Sequence, residues 1–172
     1  MYTIEEITDV STPEYDVLFS ESLPYMEGGT FDWSFVGSPA TDEEKREAIR
    51  ARFQELIACP NTKCVLWRKD GVPISIAAGS RNAGDEHYIT WVAVLYGPDA
   101  GGSRSWLYDE AFIAQTKAYF LDHWGVLGYK ISCIKDASIM NYHTNKPNMG
   151  SYYETQVIEE KDQLVTIQYR YL

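Results

Sequence analysis

The residues able to do chemistry in this chain are few and scattered. Glu86 and His87 adjoin at the head of an apolar run, while His123 and His143 stand without partners at metal-ligand spacing. Cys59, Cys64 and Cys133 are an odd number and also lack that spacing, which reads as three buried or incidental thiols in a reducing compartment and no metal site. Tyrosine is abundant, thirteen in all, and a phenol with a pKa of about 10 is a usable proton donor to a strong base. The segment richest in options is Gly97-Pro-Asp-Ala-Gly-Gly-Ser-Arg-Ser105. Gly101, Gly102 and Ser103 let the backbone approach an anion closely, a following helix N-terminus leaves N–H groups unpaired, and Arg104 adds a positive charge. Asp99 opposes a phosphate there. The competing reading is a plain helix start with Ser103 or Ser105 as its cap.

These residues need elements to hold them. Tyr2 to Thr8 alternates polar and apolar and predicts a first strand, and Pro13 to Met26 a short helix. Gly28 to Pro39 reads as a loop anchored by Phe31, Trp33 and Phe35. Thr41 and Glu44 form a capping box ahead of Ile49, Phe53, Leu56 and Ile57, which recur at helical spacing up to Cys59 and Pro60. Lys63 to Trp67 and Val72 to Ala78 are strands joined through Asp70-Gly71, a strong hairpin signal. After the Asn82 to Asp85 turn, His87 to Tyr96 is a strand that sets Trp91, Ala93 and Leu95 on one face and Val92 and Val94 on the other. The glycine-rich turn follows, and then a helix from Trp106 to Trp124 with Leu107, Ala111, Ala114, Ala118 and Leu121 along one side. Gly125 and Gly128 end it. Tyr129 to Ile134 is a further strand, Ala137 to His143 a short helix, and Tyr152 to Glu159 and Leu164 to Tyr171 two closing strands around Asp162.

Composition bounds the function. A chain of 172 residues fits one domain, 1–172, and 45% hydrophobic with 23% charged residues is globular. The formal net charge of -10, with Lys and Arg unclustered, repels nucleic acid and excludes it as a partner. An acidic surface suits a cationic substrate such as a primary amine, or serves solubility alone. No run of about 18 uncharged apolar residues exists, so no membrane association is expected, and Met1 leads into an acidic segment rather than a secretory signal, which makes the cytoplasm the expected location. The last strand, with Ile167, Tyr169 and Tyr171, could pair with a second subunit and form a homodimer if it lies at a sheet edge.

The order strand, two helices, three strands, glycine turn with long helix, strand, short helix and two strands resembles the GNAT N-acetyltransferases over nearly the whole chain. That resemblance implies an α+β fold of α/β/α layers, with a mixed, mostly antiparallel sheet of about seven strands. It also implies acetyl-CoA as cosubstrate. Its pyrophosphate would meet Gly101, Gly102, Ser103 and Arg104, although neither register of the family's Q/R-x-x-G-x-G/A pattern is complete here. Its pantetheine amides would pair with the strand carrying Val92 and Val94. The implied reaction is direct attack of a small-molecule or peptide amine on the thioester. Tyr142 falls where the family carries a tyrosine able to protonate the departing thiolate. The amine must be deprotonated before it attacks, and Glu86 is the first candidate base, with His87 and Glu110 behind it. The alternative is a GNAT-shaped protein without catalysis, with a structural or interaction role, as in virion-associated proteins of some tailed phages.

Overall fold

The computed structural model describes residues 1–26, 33–97, 109–134 and 152–172. Along the chain they form β1 (Tyr2–Ile7), α1 (Glu14–Met26), a 3-10 helix at Trp33–Val36, α2 (Asp42–Ala58), β2 (Thr62–Lys69), β3 (Val72–Ser80), β4 (Tyr88–Tyr96), α3 (Glu110–Trp124), β5 (Gly128–Ile134), β6 (Tyr153–Lys161) and β7 (Leu164–Tyr171). The strands make one seven-stranded sheet in the order β1-β2-β3-β4-β5-β7-β6. β4 and β5 run parallel, while β1 with β2, β5 with β7 and β6 with β7 are antiparallel, so the sheet is mixed as expected.

Local chemistry sets several of these boundaries. Asp70 and Gly71 both adopt positive φ, 50° and 84°, which is the backbone a tight β2–β3 turn needs and glycine supplies at no steric cost. At the start of α2 the Thr41 hydroxyl accepts from the Glu44 N–H at 3.2 Å, and the Glu44 carboxylate accepts from the Thr41 N–H at 3.1 Å. The expected capping box is therefore complete.

Two compact units emerge. In the first, Met1–Gly79 with the β4 residues from Ala93 on, α1 and α2 bury Leu18, Phe19, Ile49, Phe53 and Leu56 in one cluster with Leu66 of β2, Ile76 of β3 and Leu95 of β4. Burying each such side chain contributes about 1.5–3 kcal/mol. Arg50 locks the two helices: its guanidinium lies 5.4 Å over the Phe19 ring, donates to the Val10 carbonyl and pairs with Asp16. Cys64 is buried in this cluster and its thiol is pushed up to about 12 by desolvation.

The second unit holds Ser80–Val92 and the described residues from Asp109 on. In β7, Val165, Ile167, Tyr169 and Tyr171 are buried, and Thr166, Gln168 and Arg170 between them are not, the alternation of a strand with one covered and one open face. The covered face is aromatic. Phe120 and Trp124 of α3 meet Trp91 at 5.6 and 6.5 Å, Trp91 meets Tyr129 at 6.2 Å, and Tyr129 stacks on Tyr169 at 4.8 Å.

Two expectations are corrected here. α3 begins at Glu110, not Trp106, because Asp109 has extended backbone and its carboxylate accepts from the Ala111 N–H at 2.9 Å, so Asp109 rather than Ser103 or Ser105 is its cap. The last strand is not an edge: β7 lies between β5 and β6, and the outer strands are β6 and, at the other end, β1. Among the described residues no helix is long and apolar enough to cross a membrane.

Candidate active site

The turn between β3 and β4, which carries the candidate base Glu86, is braced by hydrogen bonds. The Asp85 N–H donates to the Asn82 carbonyl at 3.1 Å, the Arg81 guanidinium donates to the Glu86 carbonyl at 2.9 Å, and the Leu127 N–H donates to the His87 carbonyl at 2.7 Å. The Asp85 carboxylate pairs with Lys130 of β5, whose ammonium also lies 5.7 Å over the Tyr88 ring. Glu86 is thus held by its backbone on both sides, and the residue is exposed. His87 is exposed beside it, and Glu110, also exposed, belongs to the first turn of α3. Arg81, Asp85 and Lys130 escaped notice in the sequence. The available signal was Lys130 and Ser132 alternating with apolar residues in Tyr-Lys-Ile-Ser-Cys-Ile, which marks a strand face open to polar chemistry.

β4 changes partners along its length. Its parallel ladder with β5 runs Tyr88↔Gly128, Ile89↔Tyr129 and Thr90↔Lys130, and among the described residues it runs no further. Beyond Thr90, Val92 is 49% exposed and Val94 half-buried, whereas Leu95 is buried in the first unit's cluster with Ala93 packed against it. The far end of β4 is fastened to β3: the Ser75 hydroxyl donates to the Leu95 carbonyl at 2.8 Å and the Gly97 N–H to the Ile74 carbonyl at 2.9 Å. Within its own unit Trp91 packs against Phe120 and Trp124 of α3, and Val92 beside it is exposed.

Gly101, Gly102, Ser103, Arg104 and Tyr142 lie outside the described residues, as does Asp99. What can be tested for an acyl-CoA is β4 and α3. An extended amide ligand pairs with strand backbone, and β4 past Thr90 has the exposed Val92 and no β5 ladder, which fits. The N-terminus of α3 fits a phosphate poorly, because the Asp109 carboxylate already takes the Ala111 N–H and Glu110 adds a second negative charge. Among the described residues no group of three or more His, Cys, Asp or Glu is gathered as for a metal ion.

No family model matches this sequence, and no curated protein does. Solved structures do. The PaiA N-acetyltransferase of Thermoplasma acidophilum in complex with coenzyme A has a TM-score of 0.59 at 10% identity, covering 98% of this chain and 99% of that one. The N-acetyltransferase PseH of Campylobacter jejuni in complex with acetyl coenzyme A has a TM-score of 0.56 at 11% identity over 99% of both chains. A variant of the spermidine N-acetyltransferase SpeG of Vibrio cholerae has a TM-score of 0.57 at 11% identity, covering 99% of this chain and 93% of that one. Likeness at this identity is a likeness of fold, and it runs from end to end: the chain has the fold of the GNAT N-acetyltransferases.

Proposed function

We propose that this protein is an acetyl-CoA-dependent N-acetyltransferase of a small-molecule or peptide amine, built as a single domain over 1–172 and working in the cytoplasm. The observation that carries the reading is the end-to-end likeness to N-acetyltransferases solved with coenzyme A or acetyl coenzyme A. A β4 strand that loses its β5 ladder after Thr90 supports it.

Acetyl-CoA supplies the acyl thioester. In this chain, the backbone of Val92 and Val94 holds the pantetheine amides, and Gly101, Gly102, Ser103 and Arg104 hold the pyrophosphate. Glu86 takes the proton of the acceptor ammonium, directly or through water, so that the neutral nitrogen can attack the thioester carbonyl. As the carbon–sulfur bond breaks, the Tyr142 phenol gives its proton to the thiolate. The braced backbone of Glu86 favours this role, because a base held in position loses less freedom in the transition state.

Steady-state kinetics test these roles. Removing a general acid or base costs about 10²–10⁴-fold in rate, so Glu86→Gln and Tyr142→Phe should each lower kcat by about that factor with acetyl-CoA affinity retained. Unchanged turnover in both would remove the assignments. The non-catalytic reading draws on the Asp109 cap, which places a carboxylate on the helix end closest in sequence to the glycine-rich turn. Acetyl-CoA binding, tested by melting below, separates the two.

A further inference from the structure

The second unit has a sheet face that the reaction scheme does not use. Register fixes its members. Thr90 pairs with Lys130, Lys130 with Gln168 and Gln168 with Gln156, one unbroken row across β4, β5, β7 and β6. Beside it run Ser132 with Thr166, and Arg170 with Glu154. Side-chain contacts confirm that these residues share a side: the Ser132 and Thr166 hydroxyls are 2.8 Å apart and Arg170 lies 3.9 Å from Glu154. Every one is half-buried or exposed, while the opposite side is the aromatic face under α3.

The chemistry of this face is specific. Two of its cations are paired, Lys130 with Asp85 and Arg170 with Glu154, and the exposed Lys161 follows on the same side of β6. Glu159, past the β6 bulge, is the remaining carboxylate and pairs in register with Thr166. What is left to meet a ligand is hydroxyl and amide: the side chains of Thr90, Gln156 and Gln168 have no hydrogen-bond partner among the described residues. Each can donate and accept. A ligand with several ammonium groups finds one carboxylate without a cation here, whereas a ligand with several hydroxyls finds a matched donor or acceptor on each strand.

From this face we infer that the acceptor is a polyhydroxylated amine of the amino-sugar kind, held by Thr90, Lys130, Gln168 and Gln156 with the Ser132–Thr166 pair beside them. This rests on the acetyl-transfer reading for what happens to the amine, and not for the binding itself. The face begins at Thr90, where the β4–β5 ladder stops, two residues before the exposed Val92.

Ligand-observed NMR titrations of the full chain with D-glucosamine, D-galactosamine and spermidine, with and without acetyl-CoA, test the inference. An amino sugar should bind more tightly than spermidine. Gln168→Leu and Ser132→Ala should each weaken it about 3–10-fold, the effect of losing one uncharged hydrogen bond, with melting temperatures checked to show that both variants fold. Preference for spermidine, or sugar affinity unchanged in both variants, overturns the inference and leaves a plainly solvated face. Acetyl-CoA binding without amino-sugar binding also overturns it while the transferase reading stands. Sugar binding that depends on Gln168, without acetyl-CoA binding, does the reverse.

Discussion

Gly128 and Glu44 carry the clearest consequences at the scale of single residues. A Cβ on Gly128 would lie 1.9 Å from the Tyr169 carbonyl oxygen and 2.9 Å from the Arg170 Cα, both backbone atoms that cannot turn aside. Gly128→Ala should therefore destabilise the protein by about 1–3 kcal/mol or more, as overpacking does, read as a lowered urea midpoint. Glu44 accepts hydrogen bonds from the Ala40 and Thr41 N–H groups, which hold its carboxyl below the usual carboxylate range. A group with a depressed folded pKa contributes stability that is present above its unfolded value, about 4.3 for glutamate, and lost as pH falls through the folded one. The acid limb of stability below about pH 4.3 should therefore be shallower in Glu44→Gln. An identical pH profile would show that the capping hydrogen bonds do not survive in solution. Of the site residues, Glu86 could be proposed from sequence because a carboxylate at a strand head is a local feature. Lys130 and Arg81 could not, since their partners Asp85 and Glu86 are met through a turn and a strand pairing.

Among the elements, the ones written locally were the ones the sequence disclosed. The α2 start needs only Thr41 and Glu44, three residues apart, and the β2–β3 turn only Asp70 and Gly71, so both were legible. The start of α3 was not. Ser103, Ser105 and Asp109 are all good N-cap types, and the choice among them depends on which backbone geometry the surrounding chain imposes. Asp109→Ala should remove the observed cap and cost about 1 kcal/mol in chemical denaturation. If the true cap lies earlier in the chain, stability will be unchanged. The edge strand was misjudged for a related reason. Both closing strands have strand-like composition, and only the pairing of β5 with β7 over Gly128↔Arg170 to Ile134↔Leu164 leaves β6 outside. β6 carries Glu154, Glu159, Glu160, Lys161 and a bulge between Val157 and Glu159, the usual protections of an edge against further pairing. Its charges would oppose a homodimer formed by extending the sheet.

For the whole molecule, the sequence revealed the order of elements and hence the fold, because that order survives where identity to structural neighbours has fallen to 10–13%. The site was less legible. A phosphate-binding turn is recognised by small and basic residues at fixed offsets, and here Asp99 and Ser103 interrupt them, so the central claim rests on the cosubstrate being bound. Thermal unfolding of the full chain with and without acetyl-CoA tests it most directly. A ligand at about 100 times its dissociation constant stabilises by about 2.7 kcal/mol, and at about 2–4 °C per kcal/mol for a domain of this size the midpoint should rise by about 5–10 °C. No shift at millimolar acetyl-CoA would contradict the transferase account and leave a GNAT fold without its cosubstrate.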